Sequence, residues 1–307
     1  MRIFLAGATG ALGKRLVPRL IEAGHTVVGT TRSEERATEL WDLGAKPIVA
    51  DALDRDAVVA AVVDARPDAI VHQLTALSGA DFRRFRKSFE LTNRLRTDGT
   101  DNLLAAAQSA GVERFVAQSY AGWPYARTGG AVKREEDPLD PEPAPQMAET
   151  LAAIRYLEER VVGADGIVLR YGGFYGPGTG LEPAGEQLEA VRERRFPIVG
   201  GGRAVWSFVH IDDAAAATVA ALERGHPGVY NIVDDEPAPV ADWLPYLAEI
   251  AGAKPPRRLP SWLGRLAGKH LVVMMDEARG ASNEKARREL GWMPRHPTWR
   301  DGFREAL

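Results

Sequence analysis

A glycine-rich turn near the amino terminus has the composition of a phosphate-binding loop. It runs Gly7, Ala8, Thr9, Gly10, Ala11, Leu12, Gly13. An apolar segment precedes it and leucines at helical spacing follow, so it joins a predicted strand to a predicted helix. Glycine lets the backbone approach a diphosphate, whose charge meets free N–H groups at the helix start. We predict that a dinucleotide diphosphate contacts Gly7, Thr9, Gly10, Ala11, Leu12 and Gly13; a plain strand–helix turn is the alternative.

The end of the second predicted strand bears on the choice of coenzyme. An acidic residue there binds the 2′-hydroxyl of NAD, whereas an arginine suits the 2′-phosphate of NADP. This sequence has Thr31 and Arg32 at that place and no acid before Glu34. A guanidinium beside hydroxyl groups is suited to phosphate. NADP(H) is therefore predicted in preference to NAD(H), with a merely solvated Arg32 as the alternative. Further positive charge could come from Lys14, Arg15 and Arg36.

The elements that must position these residues alternate between strand and helix. Apolar or β-branched segments predict strands at Arg2–Ala6, His25–Thr31, Pro47–Ala50, Ala69–His72, Arg114–Gln118 and Gly166–Arg170. Helical spacing is found at Glu34–Leu43, Asp54–Ala65, Asp98–Ala110 and Met147–Val162. Apolar strands separated by helices indicate a parallel sheet covered on both faces. The predicted fold class is α/β, a doubly wound (Rossmann) parallel sheet with its ligand crevice at the carboxyl ends of the strands.

A smaller domain is predicted where this alternation ends, after Arg170. Tyr171–Gly180 is rich in glycine, and only Val205–His210 and Gly228–Val233 are strand-like beyond it. We predict a dinucleotide-binding domain from residues 1–172 and about 204–233. A substrate domain interwoven with it is predicted from about 173–203 and 234–307.

Composition excludes several classes of function. The 307 residues are 45% hydrophobic and 26% charged, as in soluble globular proteins. No apolar run approaches the ~20 residues of a membrane span, and a strand-like start in place of a signal peptide favours the cytoplasm. A net charge of −3 gives no general attraction to nucleic acid, so the basic stretch from Arg83 to Lys87 is predicted to be a solvated helix face. Without cysteine, and with six scattered histidines, the sequence predicts no metal site.

Taken in order, these and further segments resemble the extended short-chain dehydrogenase/reductase family, the NAD(P)-dependent epimerase/dehydratase group. The glycines at 7, 10 and 13 have that family's spacing. The other matching segments are DALD at 51–54, VHQLTA at 71–76, Asn93 with GTDNLL at 99–104, RYGGFYGPG at 170–178, FVHIDD at 208–213, Tyr230-Asn231 and LGWMP at 290–294. The resemblance implies coenzyme contacts at Asp51, Ala52, Leu74, Thr75, Ala76, Asn93, Tyr171 and Phe174. It also suggests a homodimer paired through Asp98–Ala110 and Met147–Val162, although these helices could equally cover the sheet of a monomer.

The catalytic residues that the resemblance implies are missing from their expected places. The family uses a Ser or Thr near the fifth strand, a Tyr that transfers the proton and, four residues later, a Lys that lowers the tyrosine pKa from about 10. The Ser/Thr position falls on Ala121. The tyrosine is expected between about Gln146 and Thr150, and neither Tyr nor Lys occurs in that window or four residues beyond it. Tyr156 and Arg160 have the spacing of four but come at least six residues late, about 9 Å along a helix.

Other hydroxyl groups are therefore candidates for the proton donor. Ser119 and Tyr120 lie at the end of the fifth strand, Tyr125 follows in the same loop, and Thr150 is on the helix itself. A tyrosine from a loop could protonate an alkoxide as hydride arrives, if a cation or a ribose hydroxyl supports it. We predict these four as candidate catalytic residues, with packing or substrate contact as the alternative role.

Three residues are predicted to contact a small-molecule substrate. Tyr175 lies on the glycine-rich loop, and Arg203 follows three glycines with Trp206 nearby. The arginine could hold a carboxylate or another anion bidentately, although a solvated loop arginine is the alternative. Two histidines receive other roles: His72 is predicted to be a spacer beside the coenzyme and His210 a structural link between the domains.

Three functions fit these patterns. The first is an NADP-dependent oxidoreductase of the reductase type, acting on a small organic carbonyl or related substrate with a non-standard proton donor. The second is a non-catalytic NADP-binding or sensor protein. The third, a sugar-nucleotide epimerase or dehydratase, needs the missing Tyr/Lys pair to oxidise an alcohol. The well-formed C-terminal segments indicate a substrate cavity and so favour the reductase.

Overall fold

Seven parallel strands form the central sheet of the computed structural model, which describes residues 1–79, 81 and 84–307. In chain order the described strands are β1 Arg2–Ala6, β2 Thr26–Thr31, β3 Lys46–Val49, β4 Ala69–His72, β5 Arg114–Tyr120, β6 Val132–Lys133, β7 Ile167–Tyr171, β8 Gly173–Tyr175, β9 Ile198–Val199, β10 Val205–Trp206, β11 Phe208–His210, β12 Gly228–Ile232, β13 Ala238–Pro239, β14 Arg258–Leu259 and β15 Gly280–Ala281. The helices are α1 Ala11–Glu22, α2 Glu34–Asp42, α3 Arg55–Ala65, α4 Phe85–Arg96, α5 Asp98–Ala110, α6 Ala148–Val162, α7 Glu186–Arg192, α8 Ile211–Arg224, α9 Val240–Ile250, α10 Ser261–Ala267, α11 Lys269–Val272, α12 Glu284–Leu290 and α13 Trp299–Ala306, with a π-helical turn at Val273–Glu277. Arg83, part of the basic stretch predicted as a solvated helix face, lies outside the described residues, whereas Arg86 and Lys87 on α4 are exposed.

The order of the strands confirms the predicted doubly wound sheet. It is β12-β7-β5-β4-β1-β2-β3, and every neighbouring pair is parallel. The order of connection therefore reverses between β1 and β4, and doubly wound sheets bind their ligands at such a switch point, at the carboxyl ends of the strands. Strand β5 continues to Tyr120, beyond the predicted end at Gln118, so the candidate residue Ser119 lies within the strand.

Both faces of the sheet are covered, as the wholly apolar strands predict. Along β1, Ile3 and Leu5 pack into the core beneath α1 and α8. Phe4 and Ala6 point to the opposite face, where they join the core that α3, α5 and α6 cover. This alternation follows from the two-residue period of a strand.

A further core joins the C-terminal elements to helices α4 and α6, since it includes Phe89 and Ile154. Its largest buried side chains include Trp243, Trp299, Phe208 and Phe303. The domain boundaries remain a prediction: β12 belongs to the central sheet, whereas β10 and β11 form short ladders with β13 and β8. No helix in the described ranges is long and apolar enough to cross a membrane.

Candidate coenzyme and substrate site

The glycine turn has a backbone geometry that fits a diphosphate. Gly7 has a φ of +92°, and a Cβ atom there would lie 2.6 Å from the carbonyl oxygen of Gln73. A Cβ atom at Gly13 would lie 2.3 Å from the carbonyl oxygen of Gly7. Helix α1 starts at Ala11 without a side-chain cap, so the first N–H groups of the helix are available to an anion. The predicted contacts Thr9 and Gly10 lie in this turn, half-buried and exposed respectively.

The predicted adenosine pocket lies beyond this turn, where β2 ends. The Thr30 hydroxyl accepts a hydrogen bond from the Gly7 N–H at 3.3 Å, and the Thr31 hydroxyl accepts one from the Ser33 N–H at 3.3 Å. Both hydroxyls therefore support the loop backbone. Arg32 is exposed, and its side chain makes no hydrogen bond or ion pair with any residue that the structure describes. Its guanidinium is free to receive a 2′-phosphate.

The loop after β3, predicted to contact adenine, is held from beneath by a buried amide. Asn102 on α5 donates from Nδ2 to the Ala52 carbonyl oxygen at 3.0 Å. Exposed Asp51 accepts the Leu53 N–H at 3.0 Å and so closes the same loop. The sequence did not assign Asn102 a role, although it lies within the family-like segment 99–104.

The other cations near the glycine turn are already paired. Arg15 donates from Nε and Nη2 to the two carboxylate oxygens of Asp212 at 2.8 and 2.9 Å, and Arg19 lies 3.3 Å from the same group. Burial alone would raise the pKa of Asp212, but these guanidinium groups lower it to about 2. Lys14 Nζ lies 2.8 Å from Glu39. Arg15 and Lys14 are thus engaged within the protein, unlike Arg32.

The segment Leu74–Ala76, predicted beside the coenzyme, is held by two side chains. His72 accepts the Leu74 N–H on Nδ1 at 3.2 Å, and its Nε2 lies 3.2 Å from the Thr100 hydroxyl. Thr92 accepts the Ala76 N–H at 3.0 Å. Burial lowers the pKa of His72 to about 4, so the ring is neutral and carries its proton on Nε2. This geometry supports the predicted spacer role.

The face of α6 that turns toward α4 carries neither a phenol nor an amine. Asn93 donates from Nδ2 to the Thr150 hydroxyl at 3.2 Å, and Thr150 is 1% exposed. Four residues later, Ile154 is equally buried. The helix therefore presents an alcohol and an alkyl chain at the spacing at which the family carries its Tyr and Lys.

Tyr156 and Arg160, which have the family's spacing but come later in the chain, lie on a different face of α6. Tyr156 donates to Asp101 Oδ2 at 2.5 Å, and Arg160 donates from Nε to Asp101 Oδ1 at 2.9 Å. The hydrogen bond to Asp101 raises the pKa of Tyr156, which is opposite to what a proton-transfer tyrosine needs. This pair fastens α6 to α5.

Two candidate proton donors, Ser119 and Tyr125, belong to a buried polar network. Ser119 donates to Glu158 Oε1 at 2.6 Å, and Arg170 binds both oxygens of the same carboxylate at 2.8 and 2.6 Å. Arg170 Nη1 also donates to the Tyr125 hydroxyl at 2.9 Å, which donates to Asn231 Oδ1 at 2.6 Å. Tyr125 is 0% exposed, and burial raises its pKa to about 12. The network gives both residues a structural role, so the proposed site does not include them as donors.

Tyr120 is the candidate donor that reaches a cavity. A small cavity of about 10 Å³ at the end of β5 is lined by Tyr120, Ala121, Gly122, Trp123, Val205, Trp206, Ser207 and Met274. Burial raises the pKa of Tyr120 to about 12, and no cation of the described chain lowers it. The cavity thus has aromatic walls and one phenol that holds its proton firmly.

Two tyrosines predicted to face ligands lie in the core instead. Tyr175 is 0% exposed, and its ring meets the edge of Phe303 at 5.1 Å between centroids. Tyr171 is 2% exposed, accepts from Gln73 at 3.2 Å and lies 2.7 Å from the Thr218 hydroxyl. Burial raises the pKa of both phenols. The structure gives both a packing role, and the proposed site does not include them.

The glycine-rich loop nevertheless reaches the glycine turn. A Cβ atom at Gly178 would lie 3.9 Å from the Cβ of Ala11, at the start of α1. Phe174 is half-buried, with its ring 5.3 Å from that of Tyr171. This contact supports the prediction that the loop flanks the coenzyme, with Phe174 as the residue still partly accessible.

Arg203 and Trp206, the two other residues predicted to contact a substrate, differ in their partners within the protein. Arg203 donates from Nη2 to Asp276 Oδ2 at 2.7 Å, and Asp276 also accepts the Gly201 N–H at 3.0 Å. The arginine therefore closes its own glycine loop, although its side chain is 78% exposed. Trp206 lines the cavity and donates from Nε1 to the Met274 carbonyl oxygen at 2.7 Å. Trp206 remains a predicted substrate contact.

A cluster of potential metal ligands forms that the spacing of the histidines did not predict. One ligand atom from each of His210, Asp213 and His296 lies within 4.8 Å of the others. Asp213 accepts the N–H groups of Arg295 and His296 at 3.0 and 2.9 Å and lies 2.8 Å from His296 Nδ1. The two imidazole rings stack at 3.9 Å. These contacts tie the C-terminal segment to α8, in agreement with the linking role predicted for His210.

Comparison with known proteins places this fold and site in a family. The model of the NAD dependent epimerase/dehydratase family matches residues 3–233, and the chain belongs to that family. The 3-diazoavenalumate denitrifying reductase of a Streptomyces species is 46% identical over 311 residues, 99% of each chain. The 4-hydroxy-2-methyl-3-oxo-4-farnesyl-3,4-dihydroquinoline-1-oxide ketoreductase of Stigmatella aurantiaca is 29% identical, covering 100% of this chain and 96% of its own.

A solved structure supports the same fold. The UDP-glucose 4-epimerase of Thermotoga maritima, with UDP-glucose, superposes with a TM-score of 0.77 at 24% identity, covering 100% of this chain and 97% of its own. Together with the reductase relatives, the family assignment makes this protein an NAD(P)-dependent enzyme of the oxidoreductase type.

Proposed function

We propose that this protein is an NADP-dependent reductase whose substrate accepts hydride without a proton from a Tyr/Lys pair. The observation that carries the proposal is the face of α6 beside Asn93, which presents Thr150 and Ile154. Bound NADPH supplies the hydride. The protein's own residues then have to bind and orient the reactants and exclude water, and the four candidate hydroxyl groups include no activated acid.

Each remaining hydroxyl is poorly suited to donate a proton. Ser119 and Tyr125 are committed to the buried network around Arg170. Thr150 is an aliphatic alcohol, which has no acidity near neutral pH. Tyr120 reaches the cavity, but its pKa of about 12 is far from the value near working pH that suits general acid catalysis.

The preference for NADP rests on charge at the adenosine end. Arg32 is exposed and unpaired in the described chain, whereas Lys14 and Arg15 are bound to Glu39 and Asp212. The nearest acid of the loop, Glu34, begins α2 instead of ending β2. A guanidinium without an acidic neighbour at the strand end favours a 2′-phosphate over a free ribose.

We propose an aryl diazo acid as the substrate class. When hydride combines with an arenediazonium group, its two electrons form a C–H bond, the C–N bond breaks, and that electron pair leaves with dinitrogen. The reaction neutralises the diazonium charge and needs no proton, so it does not depend on the Tyr/Lys pair. Support comes from the 46% identity with a denitrifying reductase of 3-diazoavenalumate. The aromatic side chains of Tyr120, Trp123 and Trp206, which lie near one another at the end of β5, have the chemistry to stack against a flat ring.

The test is a reductase assay with a chemically defined probe. Purified protein is mixed with NADPH and diazotised 3-amino-4-hydroxybenzoate, and we expect enzyme-dependent loss of the near-ultraviolet absorbance of NADPH with equimolar 4-hydroxybenzoate and dinitrogen. NADPH deuterated at the nicotinamide C4 should transfer deuterium to the ring carbon that loses nitrogen. A reaction without enzyme measures the chemical background, and a Gly13→Ala variant controls for contaminating reductases.

Two results would contradict the proposal. If the protein binds NADPH but accelerates the reduction of neither the diazo compound nor the ketone 4-acetylbenzoate, it is a binding protein without reductase chemistry. If it reduces the ketone alone, and Tyr120→Phe abolishes this, the phenol is a proton donor and the diazo assignment is wrong.

A further inference from the structure

Arg96, the last residue of α4, is a buried cation whose role the preceding contacts leave unexplained. It is 6% exposed, and its Nη1 has no hydrogen-bond partner among the described residues. Arg94, two residues earlier on the same helix, is an ordinary surface arginine by comparison. Its side chain is 58% exposed and lies 3.5 Å from Asp98.

The carboxylate of Glu158, whose charge acts on Arg96, is already satisfied by other residues. Glu158 accepts from Ser119 on Oε1 and binds the guanidinium of Arg170 through both oxygens. Burial lowers the pKa of Arg96 to about 10, and the charge of Glu158 only partly opposes this effect. Glu158 thus has two buried guanidinium groups near it, and it is hydrogen-bonded only to that of Arg170. Burying a charge without a partner is costly, so such a group is expected to have one in the functional state.

Arg96 lies in the chain between two residues that contact α6 on either side of Ile154. Earlier along α4, Asn93 contacts Thr150; later, Asp101 on α5 contacts Tyr156. Arg96 comes between these two residues in the chain, and it is close enough to Glu158, one helical turn beyond Ile154 on α6, for the two charges to interact. The positive charge of Arg96 also acts on His72, at the end of β4 and next to the predicted coenzyme segment.

A second unsatisfied polar atom lies one helical turn away. Asn93 uses Nδ2 for Thr150, but its Oδ1 is buried without a partner in the described chain. Residues three apart on a helix are neighbours on its surface. An unclaimed donor on Arg96 and an unclaimed acceptor on Asn93 thus lie one helical turn apart, which suits a ligand rich in hydroxyl or oxyanion groups.

We propose that Arg96 is a ligand-binding residue at the reacting end of the site, where its guanidinium receives an oxygen atom of the bound coenzyme or of an anionic substrate. Helix α4 thereby supplies the cation that α6 lacks at position 154. The inference rests on the proposed function, because it assumes that the crevice holds a nicotinamide dinucleotide. Coenzyme oxygen and substrate oxygen share the same chemistry, and the experiment separates them.

The test compares Arg96→Met with the matched control Arg94→Met by calorimetry. Methionine keeps an unbranched side chain of similar length and removes the charge. The two ligands are NADPH and 2′,5′-ADP, which has the adenosine half of the coenzyme without the nicotinamide ribose. If the coenzyme supplies the oxygen, Arg96→Met should weaken NADPH binding by about tenfold or more, the effect of a charged hydrogen bond, and leave 2′,5′-ADP binding unchanged. If the substrate supplies it, NADPH binding is unchanged and KM for diazotised 3-amino-4-hydroxybenzoate rises by a similar factor.

The thermal stability of the same variants separates a ligand-binding role from a structural one. Because Arg96 is unpaired, Arg96→Met should leave Tm unchanged or raise it, and Arg96→Lys should restore part of the binding. A fall in Tm with unchanged NADPH and substrate parameters would show that Arg96 serves the fold, and the inference would be wrong. Equal weakening of NADPH and 2′,5′-ADP would indicate general damage and overturn it as well. Absence of NADPH binding by the unmodified protein would instead refute the proposed function.

Discussion

The exchange of Tyr125 for phenylalanine tests whether this residue is structural or catalytic. The substitution keeps the ring, so it leaves the surrounding core packed and removes only the hydroxyl. That hydroxyl donates to Asn231 at 2.6 Å and accepts from Arg170 at 2.9 Å. In Tyr125→Phe, both partners lose a hydrogen bond inside the protein.

The magnitude follows from the two bonds that are lost. A neutral hydrogen bond contributes about 1 kcal/mol and one to a charged group about 1.5–3 kcal/mol. Arg170 keeps its two bonds to Glu158, so the expected loss in the free energy of unfolding is about 2–4 kcal/mol. At roughly 2 °C per kcal/mol for a chain of this size, Tm should fall by about 4–8 °C.

Two quantities are measured: Tm in the absence of coenzyme, and kcat at a temperature below the unfolding transition. Tm must be compared at the same coenzyme concentration, since a ligand that binds the folded state raises it. We expect kcat to stay within about twofold of the original, because no reacting atom is touched. The comparison variant is Tyr120→Phe, which lies at the cavity and should change KM more than Tm. If Tyr125→Phe keeps its Tm and loses kcat by about a hundredfold, the assignment of Tyr125 to the fold is refuted.

Three further predictions concern the coenzyme site and its support. Arg32→Ala should weaken NADPH binding by about 10- to 100-fold, the loss of a charge-assisted contact, and leave NADH binding unchanged. Gly13→Ala should abolish coenzyme binding, because the new Cβ would lie 2.3 Å from the Gly7 carbonyl oxygen. Asp212 has its pKa lowered to about 2 by Arg15. The stability that it contributes is therefore present above its ordinary pKa and is lost as the pH falls from about 4 to 2, so Asp212→Asn should flatten the dependence of Tm on pH in that range.

Each of these predictions has a control. Arg36→Ala, which removes another exposed arginine of the same region, should affect NADPH less than Arg32→Ala; equal effects would indicate only diffuse attraction. Gly99→Ala is the matched glycine exchange, because a Cβ there meets nothing nearer than 3.8 Å, and equal damage by both would remove the steric argument. If Tm of Asp212→Asn depends on pH between about 4 and 2 in the same way as Tm of the unmodified protein, the ion pair with Arg15 does not stabilise the fold.

The sequence predicts the central sheet well because the signals for it are local. A wholly apolar strand, the glycine turn and a helix start lie within a few residues of each other, and the strand β1 has the predicted bounds Arg2–Ala6. The requirement for glycine at position 13 is equally local, since a Cβ atom there would collide with the carbonyl oxygen of Gly7, six residues earlier. The family resemblance extended this frame along the chain and is confirmed by the match over residues 3–233.

The role of each polar side chain depends instead on partners that are far away in the sequence. Arg15, predicted to add positive charge beside the glycine turn, is paired instead with Asp212, 197 residues later in the chain. Arg203 closes its own loop on Asp276, and Tyr175 is covered by Phe303. None of these pairs has a spacing that a sequence pattern records.

What the sequence alone determined is the layered α/β frame, the glycine turn and the absence of Tyr and Lys from the catalytic window. Only the tertiary structure decided which side chains are paired within the protein and which are not. It buried Ser119 and Tyr125 in a network, left Arg32 at the surface and enclosed Arg96 without a partner. The physical reason is that backbone preference acts over a few neighbouring residues, whereas hydrogen bonds and ion pairs are chosen by whichever groups the packed helices and strands bring within about 3 Å.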